Sequence, residues 1–450
     1  MRSRAATPIM PLPMQISEYL FRGWDVRSLD LGPWLVSDRP PLAYGLMSTL
    51  RLISWTVAAH GDGSAMFYQY HLISGIVINA LWIVALYYLL SELNIRKNTL
   101  LLLALVVGLT PFAIFNSVFI WPKMLGAAFG LLAFTLLFEP SKWTENNQHF
   151  DFNKSLIWAA LLSGLALVSH GGTAFGVIAA VLVSLWYRGM PSLRLSLAAA
   201  SVGLLVLLPW TLWQHLEQPP GNALIKYALS GNFGFNDKAK SVFATVMDSY
   251  SKLTLTSWAE MKLKALRVVF DGYGSTCGTQ ELDPVTTIFG HLRSNDFFYL
   301  GPSLRFLSLG IIPLIIGIKD AKNSKIQKLV HFARLMVGTG TLAVGLYCLF
   351  AFDCYINHMQ SYQSILEIIL GLAIVLHKSD RWYLTLPVYL SVLYGTIVWI
   401  IDPIILIGNP SVPPIICICL VTGAMIYKKI MGLTQRKPYD IEMTNMQSKD

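Results

Sequence analysis

The residues best suited to chemistry near the start of the chain are Asp38 and Arg39, in the run Ser37-Asp38-Arg39-Pro40-Pro41-Leu42. Two adjacent prolines restrict the backbone and disfavour helix in the residue before them, so we expect both side chains on extended backbone. A guanidinium can bind a phosphate through two parallel hydrogen bonds, and a carboxylate can accept a proton or hold a metal ion. The pattern indicates a site for an anionic group; a solvated ion pair on a connector is the alternative.

Three further side chains able to bind an anion lie at the ends of hydrophobic segments. Lys123 follows Trp121-Pro122, His170 lies in a glycine-rich turn, and His358 lies in a polar stretch before residue 361. Each has another explanation: Lys123 can extend to a membrane interface, His170 can cap a helix, and His358 can be a solvated loop residue. Together on one face of a helical bundle, these side chains would form a binding site for an anionic group at the membrane boundary. The phosphate of a lipid is such a group.

The elements that would position these side chains are hydrophobic helices. Hydrophobic residues make up 54% of the 450-residue chain and charged residues only 13%, and long apolar runs recur along it. This composition predicts an all-α polytopic membrane protein. The net charge of +9 comes from short basic clusters between the apolar runs, which is typical of membrane topology signals and argues against a nucleic-acid partner.

Eleven apolar segments approach or reach the length of a transmembrane helix, which needs about 20 residues. They are residues 69–92, 99–115, 123–138, 155–169, 173–187, 195–213, 303–318, 335–352, 361–377, 382–401 and 414–431. The segment 42–59 is nearly long enough for a twelfth, but Arg51 lies in its middle, which favours an interfacial helix. The basic N-terminus favours twelve spans instead, so both counts stay open.

Basic residues occur at alternate short connections, which places those connections on the cytoplasmic side. We therefore expect a multi-pass protein of the cell (inner or cytoplasmic) membrane. Its predicted parts are an extracytoplasmic lead-in with interfacial helices (1–68), an N-terminal transmembrane bundle (69–213), a large extracytoplasmic loop (214–302), a C-terminal transmembrane bundle (303–431) and a cytoplasmic tail (432–450). Residues 238–270 of the large loop are amphipathic, which predicts helices lying on the membrane surface.

Three motifs together resemble the C-type glycosyltransferase superfamily (GT-C), especially bacterial members akin to protein O-mannosyltransferases and lipid A aminoarabinose transferases. They are Asp38-Arg39-Pro40-Pro41-Leu42, Trp121-Pro122-Lys123-Met124-Leu125-Gly126-Ala127-Ala128, and Leu167-Val168-Ser169-His170-Gly171-Gly172. The resemblance implies that Arg39 contacts a polyprenyl phosphate and that Asp38 lies near the reaction centre or a metal ion. The resemblance thus leaves open whether the protein uses a divalent metal ion, and it assigns no ligands to one.

Members of that family carry one more span before this loop, and their principal catalytic acid lies at its end. No residue of this chain matches that acid, so we expect an upstream span to restore the layout. Within the chain as given, the resemblance leaves Asp38 as the predicted catalytic carboxylate, with Asp25 and Asp30 as fallbacks.

The function expected from this resemblance is transfer of a sugar from a polyprenyl-phosphate donor to a glycan, lipid or protein acceptor on the extracytoplasmic face. A carboxylate would act as base, and Arg39 and Lys123 would stabilise the phosphate leaving group. No glycine-rich phosphate loop follows a strand, so no nucleotide cofactor is expected. The alternatives are an O-antigen polymerase or ligase, and a flippase or transporter of lipid-linked sugars, for which mid-span charges and internal repeats would be expected.

Overall fold

All regular elements that the computed structural model describes are helices, which confirms the predicted all-α class for that part of the chain. The described residues are 12–29, 31, 35–58, 64–93, 95–140, 152–216, 222–232, 240–271, 300–316, 324–352, 360–377 and 382–407. Their α-helices, in chain order, are α1 Leu12–Arg22, α2 Leu42–Ala58, α3 Ser64–Asn79, α4 Leu81–Glu92, α5 Lys97–Gly108, α6 Pro111–Val118, α7 Lys123–Phe138, α8 Phe152–Ser169, α9 Thr173–Arg188, α10 Leu193–Leu216, α11 Ala223–Ser230, α12 Val242–Tyr250, α13 Leu255–Asp271, α14 Leu300–Leu304, α15 Ile311–Ile316, α16 Ser324–Phe350, α17 Tyr362–His377 and α18 Trp382–Ile407. Short 3-10 helices cover Val26–Ser28, Val36–Asp38 and Arg305–Gly310.

Three stretches of these helices are long and apolar enough to cross a membrane: Gln69–Glu92, Leu193–Leu216 and Ile326–Phe350. A fourth is gained if Lys97–Gly108 and Phe112–Val118, which meet at 71°, form one bent span. Several other predicted spans are apolar helices of 10–17 residues, and the segment 414–431 lies outside the described residues. The predicted count of eleven spans therefore stays a prediction.

The bend between α5 and α6 has a local cause. Pro111 occupies the first turn of α6 and has no N–H to continue the hydrogen bonds of α5. The hydroxyl of Thr110 accepts a hydrogen bond from the Ala113 N–H at 3.2 Å, which caps the new helix. The single straight span predicted for residues 99–115 is thus two helices that change direction at Thr110.

The core of the bundle is formed by α7 and α17, which are buried along almost their whole length. Helix α7 packs against α8, α4, α17 and α9, and α17 packs against α16 and α7. Glycines allow close approach: a Cβ on Gly340 of α16 would lie 2.7 Å from the Ser364 carbonyl oxygen of α17. Small residues at helix contacts are typical of bundles in which backbones pack tightly.

Helix α10 is apolar but outward-facing, since Ala199 is its only buried residue. Large side chains such as Leu204 and Leu205 are 64% exposed. A helix that is apolar on its exposed side matches a lipid environment better than water. This surface supports membrane association.

The polar segment after α10 also contains helices. Helices α12 and α13 cover most of residues 238–270, where the amphipathic pattern predicted helices, and α13 extends one residue beyond them. The chain divides into two compact units, residues 1–284 with 291–392, and residues 285–290 with 393–450. The described part of the second unit, residues 393–407, is the end of α18. The candidate site lies in the first unit.

Candidate functional site

The turn at residues 36–38, which we call the 36–38 turn, is organised by the carboxylate of Asp38. Its Oδ2 accepts a hydrogen bond from the Leu35 N–H at 2.9 Å, and its Oδ1 accepts one from the Ala223 N–H at 2.9 Å. Ala223 is the first residue of α11, so Asp38 caps that helix from a distant part of the chain. Asp38 is 2% exposed, which excludes the solvated ion pair considered as an alternative.

The backbone at this turn differs from the expectation of extended chain at both charged residues. Asp38 ends a 3-10 helix, because its side chain bonds back to the backbone three residues earlier. Arg39 alone is extended, with φ −98° and ψ 128°. The following Pro40-Pro41 step separates this turn from α2, so only Arg39 follows the rule for extended backbone near prolines.

Helix α10 anchors the same turn from the other side. The Ser37 carbonyl oxygen accepts one hydrogen bond from Trp210 Nε1 at 3.0 Å and another from Gln214 Nε2 at 2.8 Å. The two donors are four residues apart and therefore lie on one face of the helix. Asp38 and Ser37 together join the turn to α10 and α11, which restricts the position of Arg39.

The electrostatics of the two adjacent charges follow from burial. Burial raises the pKa of the Asp38 carboxyl above its usual range, while the N–H donors of Leu35 and Ala223 and the charge of Arg39 act in the opposite direction. Burial lowers the pKa of the Arg39 guanidinium, opposed by Tyr44 and Asp38. A guanidinium starts from so high a pKa that it stays charged at neutral pH.

Two cations lie within about 6 Å of the indole ring of Trp121. The Arg39 guanidinium carbon lies 5.4 Å from the ring centroid, and Lys123 Nζ lies 6.0 Å from it. Lys123 Nζ also donates a hydrogen bond to the Tyr362 hydroxyl at 3.1 Å and lies 5.1 Å from the Tyr362 ring centroid. Lys123 is 3% exposed, so it turns into the bundle instead of extending to an interface.

His170 joins this group at the turn between α8 and α9. Its ring centroid lies 6.3 Å from that of Tyr362. The turn fits closely against α7, because a Cβ on Gly126 would lie 2.7 Å from Thr173 Cγ2 and 3.2 Å from His170 Cβ. We call Arg39, Trp121, Lys123, His170 and Tyr362 the cationic cluster.

Of the residues predicted to bind phosphate, the structure brings Arg39, Lys123 and His170 together. His358 lies outside the described residues, as does the fallback acid Asp30. Tyr362 was missed by the sequence analysis as a member of the site. An aromatic residue at the start of an apolar helix is a weak signal for it, because such residues are also common at membrane interfaces.

Asp25 has a different environment from Asp38. It is exposed, caps the 3-10 helix Val26–Ser28, and pairs with Arg27 at 2.8 Å. Hydrogen bonds from Arg27 lower the pKa of the Asp25 carboxyl, so it is ionised at neutral pH. Asp25 also lines a cavity of about 210 Å³ with Trp24 and Trp213. It is therefore the accessible one of the two described candidate acids.

A metal centre is not evident in the described part of the chain. No three or more His, Cys, Asp or Glu side chains there lie together in a way that could hold a metal ion. The divalent metal left open by the sequence analysis remains without an assigned ligand set.

Comparison with known proteins adds no relative: no family model, no curated protein and no solved structure matches this chain. The function proposed below rests on the sequence motifs and on the cationic cluster.

Proposed function

We propose that this protein is an integral membrane glycosyltransferase of the GT-C type. It transfers a sugar from a polyprenyl-phosphate donor to a glycan, lipid or protein acceptor on the extracytoplasmic face of the cell membrane. The observation that supports this proposal is the cationic cluster, in which Arg39 and Lys123 both lie close to the Trp121 ring although 84 positions separate them in the chain.

The cationic cluster suits a lipid phosphate for two reasons. Arg39 and Lys123 supply positive charge in a buried site, where each electrostatic contact is stronger than in water. Cations of this kind stabilise the charge that develops on a phosphate leaving group. The rings of Trp121 and Tyr362 provide apolar surface beside the charges, as an amphiphilic lipid requires.

The reaction also needs a group that accepts the proton of the acceptor hydroxyl. Each oxygen of Asp38 already accepts one backbone N–H and keeps a second lone pair, so Asp38 can serve as base once the acceptor hydroxyl reaches its buried carboxylate. Asp25 is exposed and ionised, so it is the alternative base. In this proposal Asp38 remains the first candidate, with its hydrogen bonds holding it beside Arg39.

The proposed topology has the 36–38 turn and the segment 214–302 on the same, extracytoplasmic side of eleven spans. The hydrogen bond from Ala223 to Asp38 supports this arrangement, because it joins the start of that segment directly to the turn. The exposed apolar surface of α10, which ends beside the same turn, is consistent with lipid on its outer side.

The binding step can be tested with the purified protein in nanodiscs. We expect a polyprenyl phosphate to bind more tightly than the corresponding polyprenol, and Arg39→Ala or Lys123→Met to weaken the phosphate about 10- to 100-fold, the value of one charged hydrogen bond. Lys252→Ala is the control, because it also removes one positive charge, here from an exposed ion pair with Asp248. It should leave the affinity for the phosphate unchanged. Equal affinity for the phosphate and the polyprenol would contradict the proposal.

The transfer step needs its own assay, since a flippase or a polymerase would also bind a lipid phosphate. Proteoliposomes that contain a polyprenyl-phosphate sugar and a mixture of acceptors should release free polyprenyl phosphate if the protein is a transferase. Binding without release, under conditions in which the lipid changes leaflet, would favour the transporter alternative.

A further inference from the structure

A buried carboxyl group lies five residues after Tyr362 of the cationic cluster, on the same helix. Glu367 of α17 is 0% exposed. Its Oε1 accepts a hydrogen bond from Gln363 Nε2 at 2.7 Å, and its Oε2 has no hydrogen-bond partner among the described residues. A buried carboxyl with one unsatisfied oxygen calls for an explanation, because buried polar groups in folded proteins are almost always paired.

Four other buried side-chain oxygens, in or next to α16 and α17, also have no hydrogen-bond partner among the described residues. They are Ser361 Oγ just before α17, Gln363 Oε1 and Ser364 Oγ on α17, and Thr339 Oγ1 on α16. All four residues are at most 3% exposed. Unsatisfied oxygens concentrated on one helix and its neighbour indicate ordered water or a bound ion.

The close packing around α17 shows that these polar atoms are built into the bundle. A Cβ on Gly130 of α7 would lie 2.0 Å from Gln363 Oε1, and a Cβ on Gly176 of α9 would lie 2.3 Å from Ser361 Oγ. Only glycine leaves space for the two polar side chains at these places. Because Gln363 Oε1 faces the glycines, its amide nitrogen is directed at Glu367.

Among the described residues, Glu367 has no ion-pair partner on the elements packed against α17. The elements packed against α17 are α5, α7, α9, α14, α15, α16 and the 3-10 helix Arg305–Gly310. Their described basic groups are Lys97, Lys123, Arg188, Arg305, Lys328, His331 and Arg334, and their described weak acids are Tyr187, Tyr347 and Cys348; α17 itself carries Tyr362 and His377. Within the described residues Glu367 takes part in no ion pair. An ionised carboxylate in such a place would cost several kcal/mol.

We infer that Glu367 is a proton-binding site in the interior of the bundle, with ordered water completing the hydrogen bonds of Ser361, Ser364 and Thr339. The carboxylate takes up one proton from solvent, which forms one O–H bond and leaves the group neutral. The protonated oxygen can then donate to water. A buried carboxyl of this kind in a membrane bundle is typical of sites that carry protons.

A proton fits better than a metal cation. Hard cations take about six or more oxygen ligands, and the nearby amide oxygen of Gln363 faces the glycines of α7 and α9. The hydroxyl groups can both donate and accept, as a water-filled site requires. This inference does not depend on what the cationic cluster binds.

The first test is labelling with dicyclohexylcarbodiimide, which reacts with protonated buried carboxyl groups, followed by mass spectrometry of the purified full-length protein. An ordinary Glu is protonated in about one molecule in 500 at pH 7. Glu139 is the matched control, because it is equally buried but pairs with Arg188 at 3.2 Å. We expect labelling of Glu367 to exceed that of Glu139 more than about 10-fold at pH 7, and to fall as the pH rises.

The second test does not require the reagent to enter the bundle. Infrared spectra should show the C=O stretch of a protonated carboxyl at pH 7, and Glu367→Gln should remove that band while Glu139→Gln leaves it. Glu367→Gln, the neutral isostere, should unfold at the same temperature as the wild-type protein or higher. Absence of the band would overturn the inference, as would protection of Glu367 from labelling by Na⁺ but not by choline.

Discussion

Replacing Asp38 tests the central structural element of the candidate site. In Asp38→Ala, the N–H groups of Leu35 and Ala223 lose acceptors that each lie at 2.9 Å. A hydrogen bond to a charged group contributes about 1.5–3 kcal/mol, so the two bonds contribute roughly 3–6 kcal/mol. Removing the carboxylate also removes the free-energy cost of burying it, which offsets part of this loss. We expect a net loss of about 2–4 kcal/mol in the free energy of unfolding.

The amide variant provides a graded comparison. Asp38→Asn keeps one acceptor oxygen, but its NH₂ group then faces the second N–H donor. Asp38→Asn should therefore lower the free energy of unfolding by roughly 1–2 kcal/mol, half of the loss in Asp38→Ala. Asp248→Ala is the matched control, since Asp248 is an exposed carboxylate on α12 paired with Lys252, and it should change stability little.

The raised pKa of Asp38 gives the experiment a second readout. Folding raises this pKa above 3.8, so the folded protein binds the proton more tightly than the unfolded chain does. The resulting stabilisation is fully present below pH 3.8 and is lost as the pH rises through the folded-state pKa. The stability of wild-type protein relative to Asp38→Asn should therefore decline with rising pH across this window and level off above it.

The assay is thermal unfolding of the protein in detergent at one scan rate, which compares variants even where unfolding is irreversible. The expected order of midpoints is wild type, then Asn, then Ala at position 38. Equal midpoints for all three would refute the capping role. A stable Asp38→Asn protein that binds a polyprenyl phosphate but cannot transfer the sugar would instead identify Asp38 as the base.

Three further predictions follow from the same structure. Gly130→Ala should destabilise the protein by about 1–3 kcal/mol in thermal or denaturant unfolding, since its Cβ would lie 2.0 Å from Gln363 Oε1, whereas Gly45→Ala, with no atom within 4 Å of its Cβ, should not. Arg39→Lys should recover only part of the phosphate affinity lost in Arg39→Ala, because an ammonium lacks the planar fork of a guanidinium; full recovery in a lipid-binding assay would refute this geometry. Cysteines at exposed position 25 and at position 240 of an otherwise cysteine-free protein should both react with an impermeant reagent in intact cells, and reaction at only one of them would contradict the proposed topology.

The helices were largely predictable from the sequence because apolar runs and their boundaries are local properties. The predicted segment 123–138 coincides with α7, and the predicted segment 173–187 is one residue shorter than α9. The exception at residues 99–115 also has a local cause, since Pro111 begins a new helix after Thr110. The number of membrane spans was less predictable. A helix of 10–17 residues can be as apolar as a membrane span and still be shorter than the bilayer requires.

The chemical types in the candidate site were also predictable in part. Arg39, Lys123 and His170 were selected as cationic groups beside turns or helix ends, and they are neighbours in the structure. Tyr362 could not be selected in this way, because its role depends on a hydrogen bond with Lys123 across 239 positions of the chain. Such a contact leaves no local pattern.

The sequence by itself determined the all-helical class, the apolar character of the helices and the presence of an acid and a base beside two prolines, since these depend on composition and short-range order. Tertiary structure alone decided what those charges do. It buried Asp38 against the N–H groups of Leu35 and Ala223, and it brought Arg39 and Lys123 to the same indole ring of Trp121. Burial and pairing depend on residues far away in the chain, and they, more than residue type, determine whether a carboxylate binds backbone, a proton or a substrate.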